Sequence, residues 1–455
     1  MTNHRGSPNI PMTTGTGAGS TAAVRCSNVF EGWYTHMGRL KVCVIGAGST
    51  YTPELVEGFI NRSDELPVGE IVLMDIDPAK LEIVGGLAVR MVEKADLDAK
   101  VELTTDRRRA LDGSDFVITQ IRVGGIPARV LDEKIPLEFG AIGQETTGPG
   151  GFAKALRTIP AILDIARDIE ELAPDAWLIN FTNPSGIVTE ALLNHSRVKA
   201  IGLCNAPIGI VRGIASRLGA SEPEVFVRYI GLNHLSWVTE VYHRGRDVTR
   251  ESVEKAIPGR ADEEAAWMRE SGMIPNSYLR YYYGKDRILE EQKRAEKTRG
   301  EIVAEVEADL LKLYRDPHLD EKPKLLEKRG GAHYSTAAVS LACAIYNPKN
   351  ELHVVNVRNR STIPCLPYNS AVEANCVVNS AGAHPLTIGE VPEPIRELMQ
   401  TVKAYEQLTV KAGVEGSYAD ALEALAIHPL VPSREAAKGL LDKLLDAHRQ
   451  HLPQF

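Results

Sequence analysis

The stretch Lys41-Val42-Cys43-Val44-Ile45-Gly46-Ala47-Gly48-Ser49-Thr50 decides the fold. Lys41–Ile45 is a short apolar run, rich in valine and isoleucine, and reads as a buried strand. It passes directly into Gly46-Ala47-Gly48-Ser49, and Thr50–Asn61 then reads as a helix. Strand, glycine turn and helix form the phosphate-binding opening of a dinucleotide unit. The first glycine makes the turn, the second lets backbone approach a pyrophosphate, and the helix presents its positive end. Tyr51 stands where the third motif glycine is expected, so the fingerprint is incomplete; a glycine pair after a strand is also an ordinary turn. A second signal comes from Glu70-Ile71-Val72-Leu73-Met74-Asp75, a strand ending in a carboxylate 27 residues after Gly48. A carboxylate there accepts hydrogen bonds from ribose hydroxyls and repels a 2′-phosphate, which favours NAD over NADP. The plainer reading of Asp75 is a strand-end turn beside Asp77 and Pro78. Gly46, Gly48, Ser49 and Asp75 are therefore candidate cofactor-binding residues.

Strand and helix keep alternating along the chain. Ala79–Ala95 has helical spacing, Val101–Thr104 and Asp115–Ile121 read as strands, and Pro127–Phe139 and Phe152–Leu172 as helices. Trp177–Phe181 and Ala200–Leu203 are two more strands flanking a helix at Ile187–Asn194. The pattern predicts an α/β, Rossmann-like, doubly wound parallel sheet over residues 37–205. Beyond Cys204 the pattern is mixed, with strands at Val225–Gly231 and Trp237–Tyr242 and amphipathic helices at Ile302–Tyr314 and Ala436–His448. Residues 206–455 are expected to form a second α+β lobe that completes the substrate site and carries an oligomer interface. Residues 1–36 are rich in Ser, Thr, Gly, Pro and Asn and are expected to be a disordered extension, with Met37 a candidate translation start.

The chain has 455 residues and a formal net charge of −8, which points to neither a nucleic-acid nor an anionic-membrane partner. The run Arg107-Arg108-Arg109 heads a predicted helix and reads as a solvated face. Six cysteines without a C-x-x-C pair suit reduced thiols. No apolar run reaches the roughly 18 residues that span a membrane. A cytoplasmic protein is expected.

Polar clusters follow several predicted strands, where open α/β sheets bind ligands. They include Gln120-Ile121-Arg122-Val123-Gly124-Gly125, Phe181-Thr182-Asn183-Pro184-Ser185, Cys204-Asn205 and Gly231-Leu232-Asn233-His234. The loop Gly143-Gln144-Glu145-Thr146-Thr147-Gly148 is too polar for a core. Singly, each has a bland reading. Cys204 is a small buried hydrophobe, His234 a hydrogen-bonded turn histidine, Asn183 a turn starter before proline, and the tyrosines at 278 and 281–283 core or rim aromatics.

Taken in order, the set G-A-G-S, Q-I-R-V-G-G, F-T-N-P-S, C-N, G-L-N-H, I-P-N-S-Y-L-R-Y-Y and K-T-R-G-E closely resembles glycoside hydrolase family 4, from about Arg39 to the C-terminus. The resemblance implies an NAD- and divalent-metal-dependent glycosidase, nearest to the family's 6-phospho-β-glucosidases. Residue by residue, it makes Cys204 and His234 the ligands of the metal, usually manganese, and Tyr278 the catalytic base. It makes Arg122, Asn183 and Asn205 substrate-binding positions, with Asn205 where α-acting members have Asp. Arg299 matches an arginine on the sugar phosphate, and Glu145 is a further sugar-binding candidate. A dimer or tetramer is implied.

The implied chemistry departs from the usual glycosidase pair of carboxylates. Hydride leaves carbon 3 of the sugar for NAD, the ketone acidifies carbon 2, Tyr278 removes that proton, and the aglycone is eliminated. Water adds, and the hydride returns. Two rival classes share the first lobe. A 2-hydroxy acid dehydrogenase needs a His–Asp pair and has no use for Cys204 with His234. A non-catalytic NAD-bound sensor has no use for so many polar strand ends. A third possibility is a family 4 member acting on a 6-phospho-α-glucoside, an α-galactoside or an α-glucuronide.

Overall fold

The computed structural model describes residues 39–329 and 334–455. The expected N-terminal extension lies outside the described residues. The first strand, β1 (Leu40–Ile45), leads through the glycine turn into helix α1 (Thr52–Asn61). Then come β2 (Val68–Met74), α2 (Pro78–Lys94), β3 (Lys100–Thr104), α3 (Arg107–Leu111) and β4 (Phe116–Thr119). Next are α4 (Gly125–Glu138), α5 (Gly148–Leu172), β5 (Trp177–Asn180), α6 (Ser185–His195), β6 (Lys199–Gly202) and α7 (Ala206–Leu218). These six strands pair in parallel in the order β3-β2-β1-β4-β5-β6, the arrangement of a dinucleotide-binding sheet.

The strands are buried on both faces because helices cover both. Val42 and Val44 face α1, α2 and the helix Tyr334–Tyr346. Cys43 and Ile45, one residue out of phase, face α5 and α6. Each fully buried aliphatic side chain contributes about 1.5–3 kcal/mol. That is why these strands read as continuous apolar runs and not as alternating ones. Helix α2 begins where it does because Asp77 accepts from the backbone N–H groups of Ala79 and Lys80, with Pro78 in the first turn. The arginine run on α3 is neutralised at the surface, Arg107 and Arg108 by Asp168, Arg108 also by Glu171, and Arg109 by Glu102.

The remaining strands are β7 (Val225–Leu232), β8 (Leu235–His243), β9 (Arg246–Asp247), β10 (Ile274–Pro275), β11 (Glu351–Arg358), β12 (Ala371–Asn379) and β13 (Gly382–Pro385). β7 to β10 form a separate four-stranded antiparallel sheet. The expected second α+β lobe is present and is joined to the first through the sheet. β11, β12 and β13 extend the first sheet to nine strands, joined antiparallel to β6 by the pairing of Asn356 with Gly202. Residues 39–455 form one compact unit. The helices Glu393–Glu415, Tyr418–Ile427 and Arg434–Ala447 share a core with α5.

Candidate active site

The carboxyl ends of β1, β4, β5 and β6 open onto a cavity of about 1640 Å³. Gly46, Gly48, Ser49 and Asp75 line one end, and Asn183, Asn205 and Tyr278 the other. Gly46 has φ +92°, and a Cβ there would sit 3.0 Å from the backbone carbonyl of Gln120. The turn is pinned by Gly46 and Ala47, whose N–H groups both donate to Met74 O at 2.9 Å. Asp75 receives the Gly48 N–H on Oδ2 at 2.7 Å and the Asp77 N–H on Oδ1 at 2.9 Å. The carboxylate is thus aimed into the cavity by the turn itself, with lone pairs left for a ribose. Tyr51, in place of a third glycine, lies beneath the Arg329 guanidinium at 4.3 Å and lines the cavity wall.

At the other end, Cys204 follows β6 and Ala206 N donates to its Sγ at 3.4 Å. The first turn of α7 therefore presents its positive end to the sulfur. His234 arrives from the two-residue turn between β7 and β8, with φ +64°, a left-handed conformation uncommon outside glycine. That conformation brings Nε2 to 3.3 Å from Cys204 Sγ, across 30 residues of sequence. Tyr278 stacks on the histidine, ring centroids 3.7 Å apart and planes 3° from parallel. Its placement follows from the β10–β8 pairing. Asn276, just after β10, donates from N to Ser236 O at 2.9 Å and accepts from Tyr278 N at 3.1 Å.

Electrostatics differ along the cavity. Burial holds His234 down to about 3, so the imidazole is neutral and able to coordinate. Burial pushes the Cys204 thiol up to about 12 and raises the Tyr278 phenol above its ordinary range. Both groups need positive charge nearby before they ionise. Deeper in, Glu145 is ringed by Arg122, Arg129 (2.9 Å) and Lys154 (2.9 Å). Burial alone would raise Glu145, but these three cations hold it well below the usual carboxylate range. Burial, with Arg122 close by, lowers Lys154 to about 7 against the pull of Glu145.

The donor set fits a metal and a nucleotide. A sulfur and an imidazole nitrogen 3.3 Å apart suit one ion with arms of roughly 2.0–2.3 Å. Two protein donors fill only part of a divalent ion's shell, and among the described residues no group of three His, Cys, Asp or Glu side chains is placed to hold an ion. Asn183, which lines the cavity, has a buried Oδ1 without a partner.

Of the residues singled out in the sequence, Arg122 and Glu145 meet as an ion pair, and Cys204, Asn205, His234 and Tyr278 come together. Arg299 stands apart at the cavity rim, its Nη2 donating to the carbonyls of Lys328 and Arg329 at 3.0 and 3.3 Å. Arg129, Lys154 and Thr146 were not singled out as site residues. Thr146 lies in a loop legible as too polar for a core, whereas Lys154 sits in a helix where only its burial marks it.

Comparison with known proteins shows the family. Residues 41–220 match the family 4 glycosyl hydrolase model and residues 229–431 the family 4 glycosyl hydrolase C-terminal domain. The chain is 50% identical to a probable 6-phospho-beta-glucosidase of Bacillus subtilis, over 91% of this chain and 98% of that one. It is 41% identical to the 6-phospho-beta-glucosidase of Escherichia coli, over 92% and 97%. The structure of the Thermotoga maritima 6-phospho-beta glucosidase with manganese, NAD+ and glucose-6-phosphate superposes with a TM-score of 0.86. Its identity is 38%, over 91% of this chain and 99% of that one. The chain belongs to the family 4 glycosyl hydrolases.

Proposed function

We propose that this family 4 glycosyl hydrolase cleaves 6-phospho-β-glucosides, using NAD seated at the Gly46–Gly48 turn and a divalent metal, manganese, held by Cys204 and His234. The observation that carries the reading is that one crevice is lined by a nucleotide-type turn and by Tyr278, which stacks on the histidine of a buried Cys–His pair. The names of the Bacillus, Escherichia and Thermotoga relatives support the substrate class.

When bound, these two groups supply hydride exchange at carbon 3 of the sugar and Lewis acidity at its neighbouring oxygens. Tyr278 takes the proton from carbon 2. Its buried phenol is a poor acid alone, and stacking on His234 puts it beside the pair that would carry positive charge. Arg122, fixed by Glu145, donates to the sugar, and Asn183 offers its unpaired Oδ1 to a sugar hydroxyl. Arg299 at the rim presents a guanidinium to the 6-phosphate. Asn205 lines the cavity but has no acidic proton, so the leaving oxygen is protonated by water or by another group. This disfavours the 6-phospho-α-glucoside alternative, in which an Asp would serve.

The same reading makes the protein a cytoplasmic homo-oligomer. No described helix is long and apolar enough to cross a membrane, and Cys43, Cys204, Cys343, Cys365 and Cys376 are free thiols. The deciding experiment is a panel of phosphorylated and unphosphorylated α- and β-glycosides, with and without NAD and manganese, run in heavy water. Only the 6-phospho-β-glucosides should turn over, only with both additions, and the product should carry deuterium at carbon 2. Full turnover without nucleotide, or no deuterium at carbon 2, would overturn the mechanism.

A further inference from the structure

We propose that Thr146, itself fixed by Gln144, is the positioning residue that sets the tautomer of His234 and so turns Nε2, with its lone pair, toward the metal position beside Cys204. The inference rests on the reading that Cys204 and His234 hold the metal. It follows from counting protons around one hydroxyl. The backbone N–H of Thr146 donates to Gln144 Oε1 at 2.6 Å. A backbone N–H can only donate, so the side-chain atom facing it is the amide oxygen and not the amide nitrogen. Thr146 Oγ1 lies 2.9 Å from that same oxygen. An amide oxygen has no proton to give, so the threonine hydroxyl spends its single proton there. The same hydroxyl lies 3.0 Å from His234 Nδ1 and has only lone pairs left to offer. The ring proton must then sit on Nδ1. Nε2 is left as the unprotonated nitrogen, and it points at Cys204 Sγ, 3.3 Å away. Metal-binding histidines are commonly oriented by such a bond from the other ring nitrogen.

The loop is built to hold this geometry. Glycines at 150 and 151 let it press on the start of α5. A Cβ at Gly150 would lie 2.3 Å from Gln144 O, and one at Gly151 2.5 Å from the Thr146 carbonyl carbon. The loop backbone therefore has little room to shift away from His234.

The test is direct Mn²⁺ binding by electron paramagnetic resonance on the full chain, without substrate. NAD affinity and melting temperature are followed in parallel. Thr146→Val keeps the shape and removes the acceptor; it should weaken Mn²⁺ binding by about 10- to 100-fold, with NAD affinity unchanged. Thr146→Ser should restore it. Gln144→Glu, which still offers an oxygen to both donors, should bind near the wild-type level, whereas Gln144→Leu should weaken it in the direction of the valine variant. Wild-type Mn²⁺ affinity in Thr146→Val, or a serine variant as weak as the valine one, would overturn the proposal. Cys204→Ser and His234→Ala separate the two layers. If they abolish Mn²⁺ binding while Thr146→Val does not, only the positioning role fails. If they leave it intact, the metal reading and this proposal fall together.

Discussion

The two ends of the crevice are built in opposite ways. The nucleotide end is local. Gly46, Gly48 and Asp75 sit within thirty residues, and backbone hydrogen bonds between adjacent strand ends hold them in place. The metal and sugar end is convergent. Cys204, His234 and Tyr278 come from a strand end, a hairpin turn and a one-turn helix, and the loop carrying Thr146 braces them from a fourth segment. The first end depends on backbone shape and the second on side-chain polarity in a buried setting. Substitutions at the two ends should therefore fail differently.

The largest effect is expected from breaking the convergent end alone. Cys204→Ser or His234→Ala should cut hydrolysis at least about a thousandfold, which corresponds to roughly 4 kcal/mol. NAD binding, measured by fluorescence titration, should stay within about threefold of wild type, because neither side chain touches the glycine turn. Parallel loss of NAD affinity would mean that the ends are not separable.

Next comes the charge cluster around Glu145. Glu145→Gln leaves Arg122, Arg129 and Lys154 without their shared carboxylate. Removing one partner from a buried ion cluster typically costs about 3–5 kcal/mol. A clear drop in melting temperature is expected, with a raised KM. An unchanged melting temperature would show that the cations find other partners.

A smaller effect is expected at the local end. Gly46→Ala forces a side chain into φ +92° against the Gln120 carbonyl. A strain of about 1–2 kcal/mol follows, with NAD affinity reduced roughly tenfold and Mn²⁺ affinity untouched. Equal losses of both would again blur the division.

The same contrast explains what the sequence disclosed. The nucleotide end was legible because strand, turn and helix are consecutive, and β-branched runs mark strands buried on both faces. The convergent end was legible only as an ordered set of motifs. The contact between Cys204 and His234 has no periodicity to announce it, and a polar loop does not say that Thr146 faces a histidine 88 residues away. The second lobe was only partly legible, because nothing local tells Asn356 of β11 that its partner is Gly202 of β6, 154 residues earlier. Glu373 in Ala371–Asn379 looks like the solvent-facing member of an alternating strand, yet it is fully buried against the β7–β8 hairpin.

Glu373 supports a last prediction, one that leaves catalysis aside and tests how far the convergent end is strained by its own polarity. The carboxylate accepts from Tyr229 Oη at 2.8 Å, Asn233 Nδ2 at 2.9 Å and Asn356 Nδ2 at 3.1 Å. Burial outweighs these donors and raises its pKa from 4.5 to about 7. The folded state thus binds this proton more tightly than the unfolded chain. Below about pH 4.5 both states are protonated and the group is neutral in its effect. As pH rises from about 4.5 to about 7 the unfolded chain ionises this carboxyl while the folded state resists the buried charge, and stability is lost across that window. Glu373→Gln, neutral at every pH, should lie within about 1 kcal/mol of wild type near pH 5. At pH 8 it should be more stable by roughly 1–3 kcal/mol, less whatever the amide loses in hydrogen bonding. Tyr229 and Ser236 share a hydroxyl pair that can reverse its direction to receive the new N–H, so that loss should be small. Melting curves of both proteins at pH 5 and pH 8 decide the matter. A stability difference that is the same at the two pH values would mean that Glu373 keeps its proton, or its charge, throughout, and that Asn233 and its neighbours satisfy it better than its burial suggests.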